Sequence, residues 1–173
     1  MIRAARPEAR YRRPMDATLE IRPARRDELP AVAALAAKLV HLHHAFDGAR
    51  FFVPEHVTEG YAWWFAKEID RPEVVLLVAA RGDRLVGYAY GRLEDRDWNQ
   101  LLDACGALHD LWVDDGERHG GVASALVDAV VGALRDKGAS RVVLHVAEAN
   151  EAAQALVARL GFRRTMVEMT RET

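Results

Sequence analysis

The stretch RHGGVA, Arg118 to Ala123, sits between a short apolar run and a long amphipathic one and has the composition of an anion cradle. The first turn of a helix leaves its amide N–H groups unpaired and carries partial positive charge, so phosphate is drawn to it. Gly120 and Gly121 remove the Cβ atoms that would hold a ligand away from the backbone. Ala123 and Ser124 keep the first turn small, and Arg118 adds a point of charge. The same residues also suit an ordinary Gly-rich turn entering a helix, so the loop alone does not decide. Two better-known phosphate loops are excluded. The chain has no G-x-x-x-x-G-K-S/T, and no G-x-G-x-x-G follows its first strand.

Other residues invite chemistry less strongly. His41 and His44 stand three apart and share a helix face, but only Asp47 is near as a further ligand and no Cys is. A zinc site needs more, so no metal is expected, and a solvated helix end where imidazole suits the dipole is the better reading. Tyr61, Trp63, Trp64 and Phe65 read as core. Asp95, Asp97 and Trp98 suit a protonated amine, or simply a solvated loop.

The elements that must position the loop follow from periodicity. Residues 18–22 predict a strand, and Asp27 is placed to cap a helix with apolar residues from Leu29 to Leu42 at helical spacing. A second helix is predicted over 55–69. Val74 to Ala80 and Leu85 to Leu93 flank the turn RGDR and predict a hairpin, its second strand alternating. On that strand Val86, Tyr88, Tyr90 and Arg92 would share a face. Leu108 to Val113 predicts a fourth strand, with Leu108, Asp110 and Trp112 on one face and His109, Leu111 and Val113 on the other. Val122, Leu126, Val130 and Leu134 mark one helix face, ended by Gly138. Arg141 to Val146 predicts a buried strand, Asn150 a helix cap, and Phe162 the start of a last strand running to Thr170. Strand, crossover helix, strand implies a parallel pair. The fold class is α/β (α+β): a mixed, mostly antiparallel central sheet with a parallel splayed strand pair, flanked by about four helices.

Length and charge set the outer bounds. A chain of 173 residues, 50% hydrophobic and 29% charged, suits one globular domain over 15–173. Arg3, Arg6, Arg10, Arg12 and Arg13 against Glu8 give residues 1–14 a net of +4, so the overall −2 leaves −6 on the rest. The expectation is a disordered basic tail at 1–14, with Met15 as an alternative start, and a body that disfavours nucleic acid. No apolar run approaches the roughly 20 residues of a membrane span, so no membrane partner is expected. A single Cys105 fits a cytoplasmic protein.

Arg118-x-x-Gly121-x-Ala123, then Asn150, then LVARLGF at 156–162, resembles the GCN5-related N-acetyltransferase superfamily. The hairpin VVLLVAARGDRLVGYAYG resembles that family's second and third strands, and the likeness covers about residues 18–170. It implies acetyl-CoA as co-substrate. The backbone of Leu111, Trp112 and Val113 would pair with the pantetheine arm, and the amides of His119, Gly120, Gly121, Val122, Ala123 and Ser124 would hold the pyrophosphate. Asn150 and Ala153 would lie against the cofactor near the thioester.

Two features depart from the family pattern. Many members carry Tyr where this chain has Val157, and that Tyr protonates the departing thiolate. After Phe162 only RRTMVEMTRET remains, enough for one strand where relatives commonly finish with a hairpin. Either the sheet is smaller, or a homodimer covers the edge.

The function implied is transfer of an acetyl group from acetyl-CoA to a primary amine of a small molecule or peptide. The alternatives are a catalytically silent acyl-CoA-binding module, which Val157 favours, and an acyltransferase acting on a protein. An alkylamine with a reference pKa near ~10.4 must lose a proton before it attacks. Related enzymes often place an acidic base on the strand face that His109 occupies, which makes His109 the first candidate and Asp110 the second.

Overall fold

The computed structural model describes residues 18–173, and the expected tail at 1–14 lies outside the described residues. Strands β1 (Leu19–Pro23), β2 (Val74–Arg81), β3 (Arg84–Glu94) and β4 (Cys105–Val113) pair antiparallel in sequence order, and β5 (Val142–Leu144) joins β4 in parallel. Helices α1 (Leu29–Phe46) and α2 (Val57–Glu68) precede β2, α3 (Val122–Asp136) links β4 to β5, and α4 (Glu151–Arg159) follows. This is the expected mixed sheet with four helices.

The unbroken apolar run of β2 has a direct cause, because both faces of the sheet are covered. Val74, Leu76 and Val78 meet Val32, Leu35, Ala36 and Phe65 of α1 and α2, while Val75, Leu77 and Ala79 meet Val122, Leu126, Val130 and Leu134 of α3. Each such side chain, fully buried, stabilises by about 1.5–3 kcal/mol. The same double cover buries β3 continuously from Val86 to Gly91, so the polar alternation expected there is not seen. Gly87 is required by a close approach, since a Cβ there would stand 2.7 Å from the Trp112 carbonyl oxygen.

Helix α1 starts differently from expectation. A turn of 3-10 helix at Arg26–Glu28 precedes it, and Glu28 rather than Asp27 does the local hydrogen bonding. Its carboxylate accepts from the Arg25 backbone N–H at 2.9 Å and from both terminal nitrogens of Arg22, at 2.9 and 2.6 Å. The Arg22 bond, then the Arg25 amide, hold the Glu28 carboxyl down at about 2 against burial. A depressed carboxyl stabilises the fold above its unfolded value near 4.5 and loses that contribution as pH falls toward 2. Glu28→Gln is therefore expected to lower stability by about 1–3 kcal/mol at pH 7. Its deficit should shrink as chemical denaturation is repeated from pH 5 down to pH 2.

With its lead-in turn, Arg26–Phe46 has the length and apolarity to cross a bilayer, which the search for apolar runs did not anticipate. In the fold its apolar face is core: Leu29, Val32, Ala33, Leu35 and Ala36 are buried.

The second half carries two corrections. The fifth strand is three half-buried residues rather than six buried ones, because β5 is the sheet's last strand and pairs only along Gly106–Leu108. The final strand predicted from Phe162 to Thr170 does not form. Its backbone has no ladder to join, and residues 162–173 run as exposed chain held by Arg50–Glu168 and Arg164–Glu148 ion pairs. Phe162 itself packs beside Leu144 and Leu160 on the α3 side of the core.

Candidate active site

The phosphate-loop residues stand where the sequence placed them, between β4 and α3. A 3-10 turn at Asp115–Glu117 leads into Arg118, then His119 and Gly121 adopt left-handed φ of 65° and 78°. Two such reversals within three residues turn the chain so that α3 begins at Val122 with no side-chain cap and no acid in its first turn. The amides of Val122, Ala123 and Ser124 therefore present the positive end of a 15-residue helix without a built-in anion. A Cβ on Gly121 would meet no protein atom within 4 Å, which leaves open space in front of the turn. That combination fits a pyrophosphate. Arg118 is folded back, pairing with Asp115 at 2.8 Å and lying 5.6 Å over the Trp112 ring.

The strand before the loop is half unpaired. β5 leaves β4 after Leu108↔Leu144, so from His109 to Val113 the β5-side edge of β4 meets no strand. An extended amide-bearing ligand fits such an edge as an added strand would. Leu111 packs toward α3, Val113 is buried, and Trp112 faces the other way with Nε1 donating to Asp114 at 3.2 Å. Beyond β5, the Asn150 side chain accepts from the Ala153 backbone N–H at 3.1 Å, so the predicted cap is made.

The faces of β4 differ from simple alternation, and this changes the candidate bases. Tyr90 pairs with Asp110 but Gly91 pairs with Leu108, so His109 is an extra residue, a bulge. Leu108 accordingly belongs to the α3-side core. Asp110 accepts from the Tyr88 hydroxyl at 3.0 Å, and His109 lies 5.6 Å from the Tyr90 ring, and both tyrosines belong to the α1–α2 face. The two predicted bases therefore share one face, where regular alternation would have separated them. A second bulge at Ala79/Ala80 of β2 turns Val86 to the α3 side, away from Tyr88 and Tyr90.

The two bases sit in different surroundings. His109 is 41% exposed, and its Nε2 lies 2.8 Å from Glu94. With the proton on Nε2 donated to Glu94, Nδ1 is left as the acceptor. Asp110 is largely enclosed, and burial raises its carboxyl above the ordinary Asp range. The Tyr88 bond and the nearby imidazoles of His109 and His43 pull it back down.

His43, at the end of α1, donates Nδ1–H to the Leu39 carbonyl at 2.9 Å. Neither His43, Tyr88 nor Glu94 was singled out for a role at the reacting centre. Their signals are tertiary, since each is distant in sequence from the strand it meets. His44 donates Nδ1–H to the Phe51 carbonyl at 2.7 Å, which fixes its ring at the end of α1. Among the described residues no group of three His, Cys, Asp or Glu could hold a metal ion.

A cleft of about 960 Å³ runs from His109 along β3, β5 and the 95–104 loop, lined by Glu73, Arg92, Glu94, Trp98 and His145 among others. Asp97 caps the Asn99 and Gln100 amides at 2.8 and 3.1 Å, while Trp98 is 74% exposed beneath Arg96. Of the aromatic group on α2, Trp64 and Phe65 pack with Tyr90 and Tyr61 packs against Phe65, but Trp63 faces solvent under Lys67.

The family model described as the acetyltransferase (GNAT) family matches residues 38–162, which runs from the second half of α1 through α4 and includes the whole loop. The chain belongs to that family. Among curated relatives it is similar to a mycothiol acetyltransferase of Beutenbergia cavernae, 32% identical over 69% of this chain and 36% of that protein. It is also similar to an uncharacterised N-acetyltransferase of Mycobacterium tuberculosis, 35% identical over 57% of this chain and 59% of the other. The chain thus spans roughly a third to three-fifths of the curated relatives it matches. In fold it is similar to the aminoglycoside N-acetyltransferase AAC(6')-Iy in complex with CoA, with a TM-score of 0.74 and 18% identity over 92% of this chain and 97% of that one. The mixed sheet with its parallel β4–β5 pair is the fold shared with that neighbour.

Proposed function

We propose that this GNAT chain transfers an acetyl group from acetyl-CoA to a primary amine of a small molecule or peptide. The observation that carries the reading is the uncapped start of α3 at Gly121, contiguous with the open edge of β4 and with His109 and Asp110. A fold neighbour solved with CoA supports the same co-substrate. Relatives named for mycothiol and aminoglycoside acetylation support a small-molecule amine as acceptor.

In this reading the amides of residues 119–124 hold the pyrophosphate and the edge of Leu111, Trp112 and Val113 aligns the pantetheine arm. Asn150, whose Oδ1 makes the cap and leaves its amide nitrogen for the ligand, and Ala153 lie against the same arm near the thioester. Acetyl-CoA supplies an acyl carbon already activated as a thioester. His109, held by Glu94, takes the proton from the incoming ammonium through Nδ1, and Asp110 is the second candidate for that step. The free amine then forms the C–N bond as the C–S bond breaks, and the second proton the nitrogen sheds on becoming an amide passes through solvent to the departed thiolate. With Val157 where many members have Tyr, the thiolate leaves without a side-chain acid from α4, which a thiol of pKa near ~8.5 tolerates.

Val157 also supports a second reading, a module that binds acyl-CoA without turnover. Thiol release from acetyl-CoA, followed over a panel of amines that includes amino sugars and aminoacyl compounds, separates the two. The expected result is release of one thiol per amide formed with at least one amine. Calorimetric binding of CoA with no turnover on any amine would favour the sensor, and absence of CoA binding would defeat both.

A further inference from the structure

We propose that Glu117 is a positioning residue, a clasp that ties the cofactor loop to the β2–β3 hairpin and sets its phosphate-binding shape before the ligand arrives. The inference rests on the reading that this loop holds CoA.

Glu117 ends the 3-10 turn that immediately precedes Arg118, His119 and the Gly pair. Its Oε2 accepts from Arg81 Nε at 2.7 Å, and its Oε1 pairs with Arg84. Those arginines flank the Gly82–Asp83 turn, so one carboxylate bridges both sides of the hairpin end. The side chain is only 13% exposed although the loop is on the surface. The Arg81 bond holds the Glu117 carboxyl below the ordinary carboxylate range, so it stays charged.

Geometry links the clasp to the cradle. The Glu117 carbonyl oxygen lies 3.4 Å from where a Cβ on Gly120 would stand, so the clasped turn packs directly against the first glycine of the pair. The other end of the loop is tied separately. The Asp114 amide bonds the Val86 carbonyl at 2.9 Å, and the Asp114 side chain takes Lys38 of α1 at 2.7 Å. Between Asp114 and α3, Glu117 ties the loop to the hairpin, beside the contact of Arg118 with the Trp112 ring. An acidic side chain so near a phosphate site would repel the ligand if it faced forward. Here both carboxylate oxygens are taken up by the hairpin's guanidinium groups.

A loop ordered in advance binds more tightly because less conformational freedom is lost on association. Releasing the clasp therefore weakens cofactor binding while leaving the reacting groups on β4 in place. Glu117→Gln is expected to raise both the Kd for CoA and the KM for acetyl-CoA by about tenfold, a rough figure for losing a charge-assisted, ordering contact. The KM for the amine and kcat at saturating acetyl-CoA should stay within about twofold of the parent, because uniform binding alone is lost.

Arg84→Gln removes one arm at an exposed position and is expected to raise the same two constants by about threefold, in proportion to a half-released clasp. Asp70→Asn breaks the remote Arg26–Asp70 pair and should change neither. Thermal melting is run on every variant. A lower melting temperature with unchanged Kd and KM for the cofactor would make Glu117 merely structural and overturn the proposal. An equal fall in kcat would do the same. If Glu117→Gln does not fold, unchanged constants in Arg84→Gln overturn it. If the parent itself binds no CoA, the functional reading fails and the clasp's role falls with it, an outcome distinct from a parent that binds normally beside an unaffected variant.

Discussion

At pH 7, His109→Gln is expected to lower turnover by at least about tenfold, and by as much as the ~10²–10⁴-fold that a well-positioned base contributes. Glutamine keeps polarity and approximate size but cannot accept the proton. The effect should fall on kcat and kcat/KM for the amine, with CoA affinity nearly unchanged, because His109 lies on the α1–α2 face and the loop amides lie beyond the far end of β4. Raising the pH should restore part of the loss, since free amine accumulates toward its pKa near ~10.4 and the missing base is needed less.

Asp110→Asn run in parallel decides between the neighbours that the bulge brings together. Burial raises the Asp110 carboxyl, so if Asp110 is the base, the acid limb of the pH profile lies above that of an ordinary Asp and disappears in the Asn variant. Parental turnover in His109→Gln with a collapse in Asp110→Asn would transfer the role to Asp110. Parental turnover in both would mean that the proton leaves through solvent.

Gly121→Val is expected to weaken CoA binding by at least about tenfold, measured by calorimetry on folded protein. Two effects act together. At φ of 78° a β-branched residue is strained, by about 1–3 kcal/mol, and relief of that strain turns the α3 amides away from their common focus. The added side chain also projects into space that no protein atom occupies and that the phosphate needs. Unchanged affinity in a folded Gly121→Val protein would remove the loop from the cofactor site. Because His109 is untouched, the turnover that remains at saturating acetyl-CoA should stay close to the parent's, the opposite pattern to His109→Gln.

Much of this was legible along the chain because it is local. The Gly pair and the small first turn of α3 announce a helix N-terminus left open for an anion. Asn150 three residues before Ala153 announces a cap, and the cap is made. The apolar run of β2 and the every-fourth-residue stripe of α3 announce a sheet covered on both faces. Periodicity and capping operate over a few residues, so the residues themselves carry that information.

What failed depended on neighbours distant in sequence. Regular alternation put His109 and Asp110 on opposite faces, but the register of β3 against β4 slips by one residue at Tyr90/Gly91 and turns both toward the α1–α2 face. A bulge is a property of two strands, and nothing in LHDLWV alone specifies it. Residues 162–170 have strand-like composition, yet a strand exists only where it shares hydrogen bonds with another, and this segment pairs with none.

The sequence by itself determined the family, the order of elements and the residue types of the candidate loop and candidate bases, because each is written in short-range pattern. Only the tertiary structure decided which face those residues share and that Glu94 holds His109 while Tyr88 holds Asp110. It alone also decided that Glu117 reaches back to Arg81 and Arg84. Those pairings join residues 15 to 36 positions apart, and their partners meet only after the sheet has set its register.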